Sequence, residues 1–443
     1  MRICLVTAFP PSGRQLNEYA FHVARELQRD SRIELFVLAD ELAQYDFATD
    51  AEGKPLGSDA QEELPGFCVI RCWRFNRPGN PLRLLKAIRR LQPDVVWFNL
   101  VFSTFGTQRS PVSAFAGLCT PLLTRALGYY THVTLHHILE HVDFADAGVK
   151  QERLFRISSR LATRALISAN SVSVLMSDYQ KTLEERYSAD NILLGTHGIF
   201  SSRPTPPDFS LRGNPEKRIL AIGHWGTYKR LETLMQCFPA VLGREPNARL
   251  IIAGANHHMT PGYWESIREA HRDNPYIEFR GYVAEDDIPE LFRTASILVL
   301  PYDSTTGSSG PAHQACQFGI PIVSADIAEF RTMASDEDIA MSFYRVGDAN
   351  DLADKLSALL LSDADQRSMA MHNFSSGVRM TMPNVVRHYL KWFQLEQCKR
   401  ALQASDGEDL YTRRSLEMET APYLTQDISG SSTLVAEAGS RDD

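Results

Sequence analysis

Two short segments combine residue types that would hold an anion: a lysine that follows a glycine turn, and a glycine- and serine-rich stretch before a helical pattern. The first reads Ile-Gly-His-Trp-Gly-Thr-Tyr-Lys over 222–229 and ends at Lys229. The second contains Gly307, Ser308, Ser309 and Gly310. A turn that opens a helix presents backbone N–H groups and the positive end of the helix dipole. Together the segments predict a diphosphate site, where Lys229 neutralises the charge of a leaving group.

Both segments belong to a regular alternation of short apolar runs and helical patterns, which would position them. Apolar runs bounded by turn residues occur at 3–7, 33–38, 95–98 and 171–176, and again at 218–222, 249–253, 277–280, 297–300 and 320–324. Such runs are typical of parallel strands that are buried on both faces. The fold class predicted is therefore α/β, with two doubly wound Rossmann-like domains facing a central cleft. Ligands in such sheets lie beyond the carboxyl ends of the strands.

The composition sets the domain boundaries. A Pro- and Ser-rich stretch at 201–217 reads as a linker between a first domain at 1–200 and a second at 218–383. An amphipathic helix is expected at 384–403, with an apolar stripe that must be buried. The segment 404–443 is rich in Ser, Gly, Asp and Glu, and its low apolar content predicts a disordered acidic tail.

The charge balance and the cysteines bear on partners and compartment. A formal net charge of −8 over 443 residues argues against nucleic acid as a partner. Basic residues cluster between Arg71 and Arg90, which reads as a solvated helix face, with contact to an anionic surface as the alternative. Seven scattered cysteines without a CxxC pair indicate free thiols in a reducing compartment. With no leader-like apolar region and no spanning segment, we expect a cytoplasmic protein. Peripheral contact with the inner membrane face stays open, as does the oligomeric state.

From residue 218 to about 374 the order of these features resembles the donor-binding half of the retaining glycosyltransferases of family 4. The resemblance implies a GT-B fold, in which the last helix crosses back to the first domain. It also implies transfer of a sugar, of the hexosyl kind and with retention, from a nucleotide-sugar donor. The acceptor is not identified and would be a polysaccharide or a lipid-linked glycan. The nucleotide sugar would be a substrate, and neither a cofactor nor a metal is expected.

The resemblance also assigns donor-binding roles in the second domain. The family places an arginine after the first glycine of the 222–229 segment, where this chain has His224, so Arg230 would have to compensate. The family's two glutamates, eight positions apart, fall on Thr306 and Gln314. Gln314 can still hydrogen-bond a ribose or sugar hydroxyl, but neither residue supplies a carboxylate. The backbone amides of 307–310 would then carry more of the donor binding.

In the first domain, the segment Phe-Pro-Pro-Ser-Gly at 9–13 resembles the family's first glycine loop and places Gly13 at the cleft. His136 follows a strand-like run where the family commonly has an active-site histidine; its predicted role is a hydrogen bond to the transferred sugar, beside the alternative of a structural histidine. His137 reads as structural, and the turn at 195–199 resembles the one that closes the family's first domain. Three acidic residues could suggest a metal site, but we interpret them as a polar helix face: Glu140, Asp143 and Asp146.

Three other classes of protein share parts of this pattern. A catalytically degenerate GT-B subunit would bind nucleotide and support a partner enzyme, and the missing glutamate pair favours that alternative. A nucleotide-sugar 2-epimerase would need cleft carboxylates and histidines that the sequence does not show in place. A dinucleotide dehydrogenase is disfavoured because no G-x-G-x-x-G follows the first strand.

Overall fold

The computed structural model of the chain describes residues 1–42, 66–107, 110–141, 152–211, 217–257, 259–305 and 307–419. By internal contacts the chain divides into two compact units, Met1–Tyr389 and Leu390–Asp443. Both sheets of the fold belong to the first unit. All seven cysteines are free thiols.

The first sheet has seven parallel strands among the described residues, in the spatial order β3-β2-β1-β4-β5-β6-β7. The strands are β1 (Arg2–Val6), β2 (Glu34–Asp40), β3 (Val69–Trp73), β4 (Val95–Leu100), β5 (Tyr130–Leu135), β6 (Ser171–Val174) and β7 (Ile192–Leu194). The helices that connect them are α1 (Asn17–Gln28), α2 (Asn80–Leu91), α3 (Pro111–Leu118), α4 (Thr120–Ala126), α5 (Glu152–Ile167) and α6 (Ser177–Tyr187). The strand order reverses between β1 and β4, which is where ligands approach such sheets.

The second sheet has six parallel strands in the described part of the chain, in the order β10-β9-β8-β11-β12-β13. These are β8 (Arg218–Trp225), β9 (Arg249–Asn256), β10 (Ile277–Gly281), β11 (Ile297–Leu300), β12 (Ile322–Ala325) and β13 (Ser342–Tyr344). The helices are α7 (Glu232–Arg244), α8 (Tyr263–Ala270), α9 (Ile288–Arg293), α10 (Gly310–Phe318), α11 (Ala328–Asp336), α12 (Ala349–Leu361) and α13 (Asp363–Arg379). Here the reversal falls between β8 and β11.

The two doubly wound sheets confirm the predicted fold class. The apolar runs coincide with strands because the strands are covered on both faces: every residue of β4, β5 and β11 is buried. The two segments predicted to hold an anion both follow strands at the reversal point of the second sheet. The sequence pattern had therefore placed them at the edge where a ligand can reach.

The last helix, α14 (Met382–Glu419), returns to the first domain. Its residues Val385, Val386 and Tyr389 are buried. The Tyr389 hydroxyl lies 3.2 Å from Ser173 Oγ in β6, and its ring centroid lies 4.6 Å from that of Trp97 in β4. The crossing helix of the predicted fold class is thus present.

The helix is longer than predicted and continues to Glu419, through residues 404–419 where the composition predicts disorder. This part contains Glu408, Leu410, Arg413, Arg414 and Leu416, residue types that favour a helix even where few apolar residues are available for packing. The remainder of the predicted tail, 420–443, lies outside the described residues.

The basic cluster does not form one helix face. Arg71 lies in β3, and its Nη2 donates to the Pro10 carbonyl over 2.6 Å. Arg74 pairs with Glu41 over 2.7 Å, and Arg83 pairs with the same carboxylate. The stretch 111–126 forms the two short helices α3 and α4. Among the described residues no helix is long and apolar enough to cross a membrane.

Candidate active site

Lys229 is held by a tight turn at the end of β8. The backbone groups of Gly226 and Lys229 hydrogen-bond each other in both directions, at 2.9 and 3.0 Å. Gly226 has φ +107°, which favours glycine, and Thr227 also has a positive φ. A backbone bridge from Lys229 to Tyr302 ties the turn to the chain after β11. Lys229 is therefore fixed at the reversal point of the second sheet.

Lys229 is half-buried, and its ammonium is partly desolvated against an aromatic ring. Its Nζ lies 4.6 Å from the centroid of the buried Tyr302 ring, a cation–π contact. Burial lowers the pKa of Lys229, and the neighbouring Tyr228 offsets this only in part. Among the described residues no carboxylate lies within ion-pair distance of Nζ. A cation that is desolvated and lacks an anionic partner is suited to an anionic ligand.

The glycine loop, residues Gly307, Ser308, Ser309 and Gly310, leads into α10. Ser309 caps the helix, since its side chain accepts from the Ala312 amide at 3.5 Å. Within the described part of the chain, the amides of Gly307 and Ser308 donate to no protein acceptor. A Cβ at Gly310 would meet nothing within 4 Å. The loop thus offers unpaired N–H groups and open space at a helix N-terminus, as an oxyanion site requires.

A buried ion pair anchors this loop from behind. His313 Nδ1 donates to the Ser309 carbonyl at 2.8 Å, and Nε2 donates to Glu337 at 2.8 Å. Burial alone would lower the pKa of His313, but the Glu337 carboxylate and both hydrogen bonds outweigh it and raise the pKa. Both nitrogens face acceptors, so the imidazolium form fits the site. The pair holds the Ser309 carbonyl in place one turn from the free amides.

The loop that contains Gly13 is pinned by a buried carboxylate at the end of β2. Asp40 accepts from Ser12 Oγ at 2.6 Å and from the Phe9 amide at 3.2 Å. Burial raises the pKa of Asp40 despite these bonds and the nearby Arg71. Gly13 itself is exposed at the reversal point of the first sheet.

His136 is buried and neutral. It lies just after β5, where its amide donates to the Leu100 carbonyl at 3.2 Å. Its Nε2 is 2.7 Å from Asn99 Oδ1, and the Asn99 Nδ2 in turn donates to Thr7 Oγ1 at 3.1 Å. Burial, and secondarily His137, lowers the pKa of His136 to about 3. With Nε2–H donating to Asn99, Nδ1 is left as an acceptor for a hydroxyl group.

The glycine loop and His136 come from different domains and meet directly. A Cβ placed on Gly307 would lie 2.7 Å from the His136 carbonyl oxygen, so only glycine allows this approach. His197, from the turn at 195–199, is half-buried nearby, with its ring 6.1 Å from that of His136 and 4.7 Å from that of His313. The structure thus brings together His136 and the loop, which sequence spacing alone could not join.

The remaining predicted donor residues have different environments. His224 is exposed, and Gln314, in α10, is half-buried with a side chain that makes no hydrogen bond to any described residue. Arg230 donates to the Thr227 carbonyl at 3.0 Å and lies 3.7 Å from Asp303, so its charge is already partnered at the surface. Thr306 lies outside the described residues. His137 is half-buried, and burial lowers its pKa to about 4.

Of the three acidic residues that follow His136, the structure describes Glu140. Glu140 accepts hydrogen bonds from Thr163 Oγ1 at 3.2 Å and from the Tyr187 hydroxyl, which gives it a structural role. Asp143 and Asp146 lie outside the described residues. In the part of the chain that the structure covers, no group of three or more His, Cys, Asp or Glu side chains could hold a metal ion.

Several residues of the site were missed by the sequence reasoning. Asn99 was visible as a polar residue at the end of an apolar strand, and His313 as a histidine in the first turn after the glycine loop. Asp40 ended a strand in the same way as Asn99. The partner of His313, Glu337, had no signal, because it lies 24 positions away in sequence.

The architecture is a GT-B fold: two doubly wound domains, with the candidate residues after the carboxyl ends of their strands. Residues 216–362, about a third of the chain, match the family described as glycosyl transferases group 1. Sucrose-phosphate synthase from Thermosynechococcus elongatus has a similar fold, with a TM-score of 0.65 and 14% identity over 91% of this chain and 100% of that one. HepE of Anabaena, solved in complex with UDP and glucose, has a TM-score of 0.61 and 14% identity over 89% of this chain and 99% of that one.

Curated relatives match shorter stretches. The O-antigen chain mannosyltransferase B of Escherichia coli is 26% identical over 151 residues, which are 34% of this chain and 37% of that protein. The mannosylfructose-phosphate synthase of Agrobacterium fabrum is 31% identical over 90 residues, 19% of this chain and 20% of that protein. The matches span well under two thirds of either relative. Residues 216–362 are therefore similar to group 1 glycosyltransferases.

Proposed function

We propose that the chain is a glycosyltransferase that moves a sugar from a nucleotide-sugar donor to a glycan or lipid-linked acceptor. The observation that carries the proposal is the Lys229 ammonium, desolvated against Tyr302 and without a carboxylate partner among the described residues. It stands at the strand reversal of the second sheet, the edge from which the glycine loop also starts. A donor diphosphate would supply the missing anion.

The reaction would proceed as follows. The bond between the anomeric carbon and the diphosphate oxygen breaks, and the negative charge that develops on the leaving group is stabilised by Lys229 and the free amides of the glycine loop. A bond then forms between the anomeric carbon and the acceptor oxygen. The acceptor proton passes to an oxygen of the departing diphosphate, so no protein carboxylate is consumed. The nucleotide sugar is a substrate, and this route needs no metal.

The proposal assigns sugar contacts to two neutral side chains. His136 would accept a hydrogen bond from a sugar hydroxyl through Nδ1, since Nε2 is engaged with Asn99. Gln314 would bind a ribose or sugar hydroxyl with its unpaired amide. A neutral amide replaces a carboxylate there, so the contact should be weaker than a charge-assisted one.

We include retention of configuration in the proposal. An inverting displacement needs a base for the acceptor hydroxyl, and a pKa of about 3 makes His136 a weak one. A route in which the leaving diphosphate accepts the proton avoids that need. A hexosyl donor and a cytoplasmic site of action, where nucleotide sugars are available, complete the proposal.

The test is release of free nucleoside diphosphate from a panel of UDP-, GDP- and ADP-hexoses, with NMR of the anomeric centre in any product. Lys229→Met should abolish most of the release, and Lys181→Met, at an exposed position of α6, serves as the matched control. Equal release by parent and Lys229→Met would refute the assignment of the site.

The degenerate-subunit alternative has its own observation: Gln314 stands where the family has a carboxylate. Under that alternative a nucleotide would bind to the parent protein, and Lys229→Met would weaken it, but no donor would be turned over. Binding without turnover across the whole panel, with an acceptor extract present, would favour the alternative.

A further inference from the structure

One face of the first domain is formed by four helices that pack side by side. Helix α2 contacts α3 and α4, and α5 contacts the same two helices. This face, called here the α2–α5 face, consists of helices that belong to the first sheet's outer layer and contribute no residue to the site described above.

The α2–α5 face carries a charge opposite to that of the whole chain. Its helices contain nine basic residues and one acidic residue, Glu152, whereas the chain has a formal net charge of −8. The basic residues are Arg83, Lys86, Arg89, Arg90, Arg125, Arg153, Arg156, Arg160 and Arg164. Arg83 is paired with Glu41, and Arg125 donates to the Ala169 carbonyl at 3.4 Å. The exposed residues on α5 repeat at helical spacing, so they share one side of that helix.

Large apolar side chains are exposed among these cations. Leu82 is 77% exposed, Val112 71% and Ile157 57%. Five further residues of the same face are also exposed: Phe115, Leu122, Leu123, Leu127 and Leu161. These side chains come from four helices that pack side by side, and large exposed apolar patches mark contact with proteins or membranes.

We propose that the α2–α5 face binds the surface of a bilayer that contains anionic lipids. Its cations would lie at the headgroups, and its leucine, valine and isoleucine side chains would enter the boundary between headgroups and acyl chains. The chain would lie on the membrane without spanning it, consistent with the lack of a spanning helix among the described residues. This inference does not depend on the sugar-transfer proposal.

Charge and side-chain type select this occupant over two others. A second copy of the chain would set two strongly basic faces against each other, and like charges oppose such a contact. Nucleic acid would match the charge, but its binding uses aromatic side chains for stacking. Here aliphatic side chains dominate, and burying them in lipid is favourable while base contact is not.

The experiment is co-sedimentation of the full chain with vesicles, either of phosphatidylcholine alone or with phosphatidylglycerol added, at low and high salt. The charge variant combines Arg160→Gln and Arg164→Gln; the apolar variant combines Ile157→Gln and Leu161→Gln. At about 1 kcal/mol, or fivefold, per arginine near an anionic surface, the charge variant should bind anionic vesicles about 25-fold more weakly. The apolar variant should lose about tenfold, and added salt should weaken the parent.

Two matched controls use exposed positions in the second domain, away from this face. Arg272→Gln with Arg293→Gln removes two exposed arginines, and Leu361→Gln with Met371→Gln removes two exposed apolar side chains. Both controls should bind anionic vesicles as the parent does. Melting temperatures establish whether each variant is folded. We expect parental values, because every substitution is at an exposed position.

The proposal would be overturned if the parent protein did not bind anionic vesicles. It would also be overturned if the charge and apolar variants bound these vesicles as strongly as the parent. If sedimentation velocity showed a dimer of the parent and only monomers of the α5 variants, the face would instead bind a second copy of the chain. Tight binding of a single-stranded RNA oligomer without vesicle binding would assign it to nucleic acid. Loss confined to the α5 variants supports a membrane contact whether or not the chain turns over any sugar donor.

Discussion

Replacing Lys229 by methionine separates a ligand-binding cation from a structural one. Methionine keeps the length and apolar packing of the side chain over Tyr302 but removes the charge. The ammonium is desolvated and has no carboxylate partner among the described residues, so its loss should not destabilise the protein without ligand. Because folding lowers the pKa of Lys229, the charged ammonium reduces the free energy of unfolding at pH values below that pKa. This destabilisation declines as the pH rises towards the unperturbed pKa of 10.5.

The effect on the reaction is larger and has the opposite sign. A unit charge at about 4 Å from a phosphate oxygen, at an effective dielectric constant of about 20, contributes about 4 kcal/mol. Loss of one preorganised contact to a developing anion costs about 2–4 kcal/mol in measured cases. We therefore expect kcat/KM for the donor to fall by a factor of roughly 30 to 1,000.

Two measurements on the Lys229→Met variant distinguish a ligand-binding role from a structural one. Donor-dependent nucleoside diphosphate release gives kcat/KM, and thermal melting with and without nucleoside diphosphate gives the stabilisation by ligand, which grows with the logarithm of ligand concentration over Kd. We expect an unchanged or higher melting temperature without ligand and a reduced shift with it. A lower melting temperature together with parental turnover would mean that Lys229 has only a structural role.

Gly307→Val should destabilise the protein by about 1–3 kcal/mol, because the new side chain meets the backbone of the other domain. Gly310→Val places its side chain in open space, so it should abolish nucleotide binding at a nearly unchanged melting temperature. Calorimetry of both variants distinguishes these two outcomes. His313→Gln should cost about 3 kcal/mol of stability, since it leaves a buried carboxylate uncompensated. Because folding raises the pKa of His313, this difference is full below about pH 6.5 and declines as the pH rises through the raised value, which urea titrations at several pH values would show. Truncation at Ala404 should preserve soluble yield and donor hydrolysis, whereas truncation at Met382 removes the crossing helix and should lower both; equal behaviour of the two would contradict its role.

Two of these comparisons, between the glycine variants and between pH values for the His313 variant, test the role of the loop. If the two glycine variants melted alike and bound nucleotide alike, the loop would not approach both the neighbouring domain and a ligand. If the stability difference at His313 were independent of pH, the histidine would be neutral in the fold and its hydrogen bonds, not its charge, would anchor the loop.

The order of residues along the chain is enough to predict the α/β class, the two sheets and the position of the Lys229 and 307–310 segments after strands of the second sheet. These features depend on burial periodicity and on turn chemistry, which are local and written directly into residue order. Helix ends were less well defined: α14 runs on to Glu419 because helix propensity, unlike packing, does not require apolar residues.

Which side chains have partners depends on contacts that form only when the chain folds. Arg230, a candidate to replace the missing arginine after the first glycine, is drawn instead to Asp303, and the basic cluster separates because Arg71 packs beside Asp40. His136 becomes a neutral group only through burial and Asn99, and Gly307 is required only because the other domain's backbone lies 2.7 Å from its Cβ position. Each of these features depends on contacts between residues far apart in the chain. Desolvation and interatomic distance determine the charge state and the partners of these side chains, and a local pattern of residue types indicates neither of them.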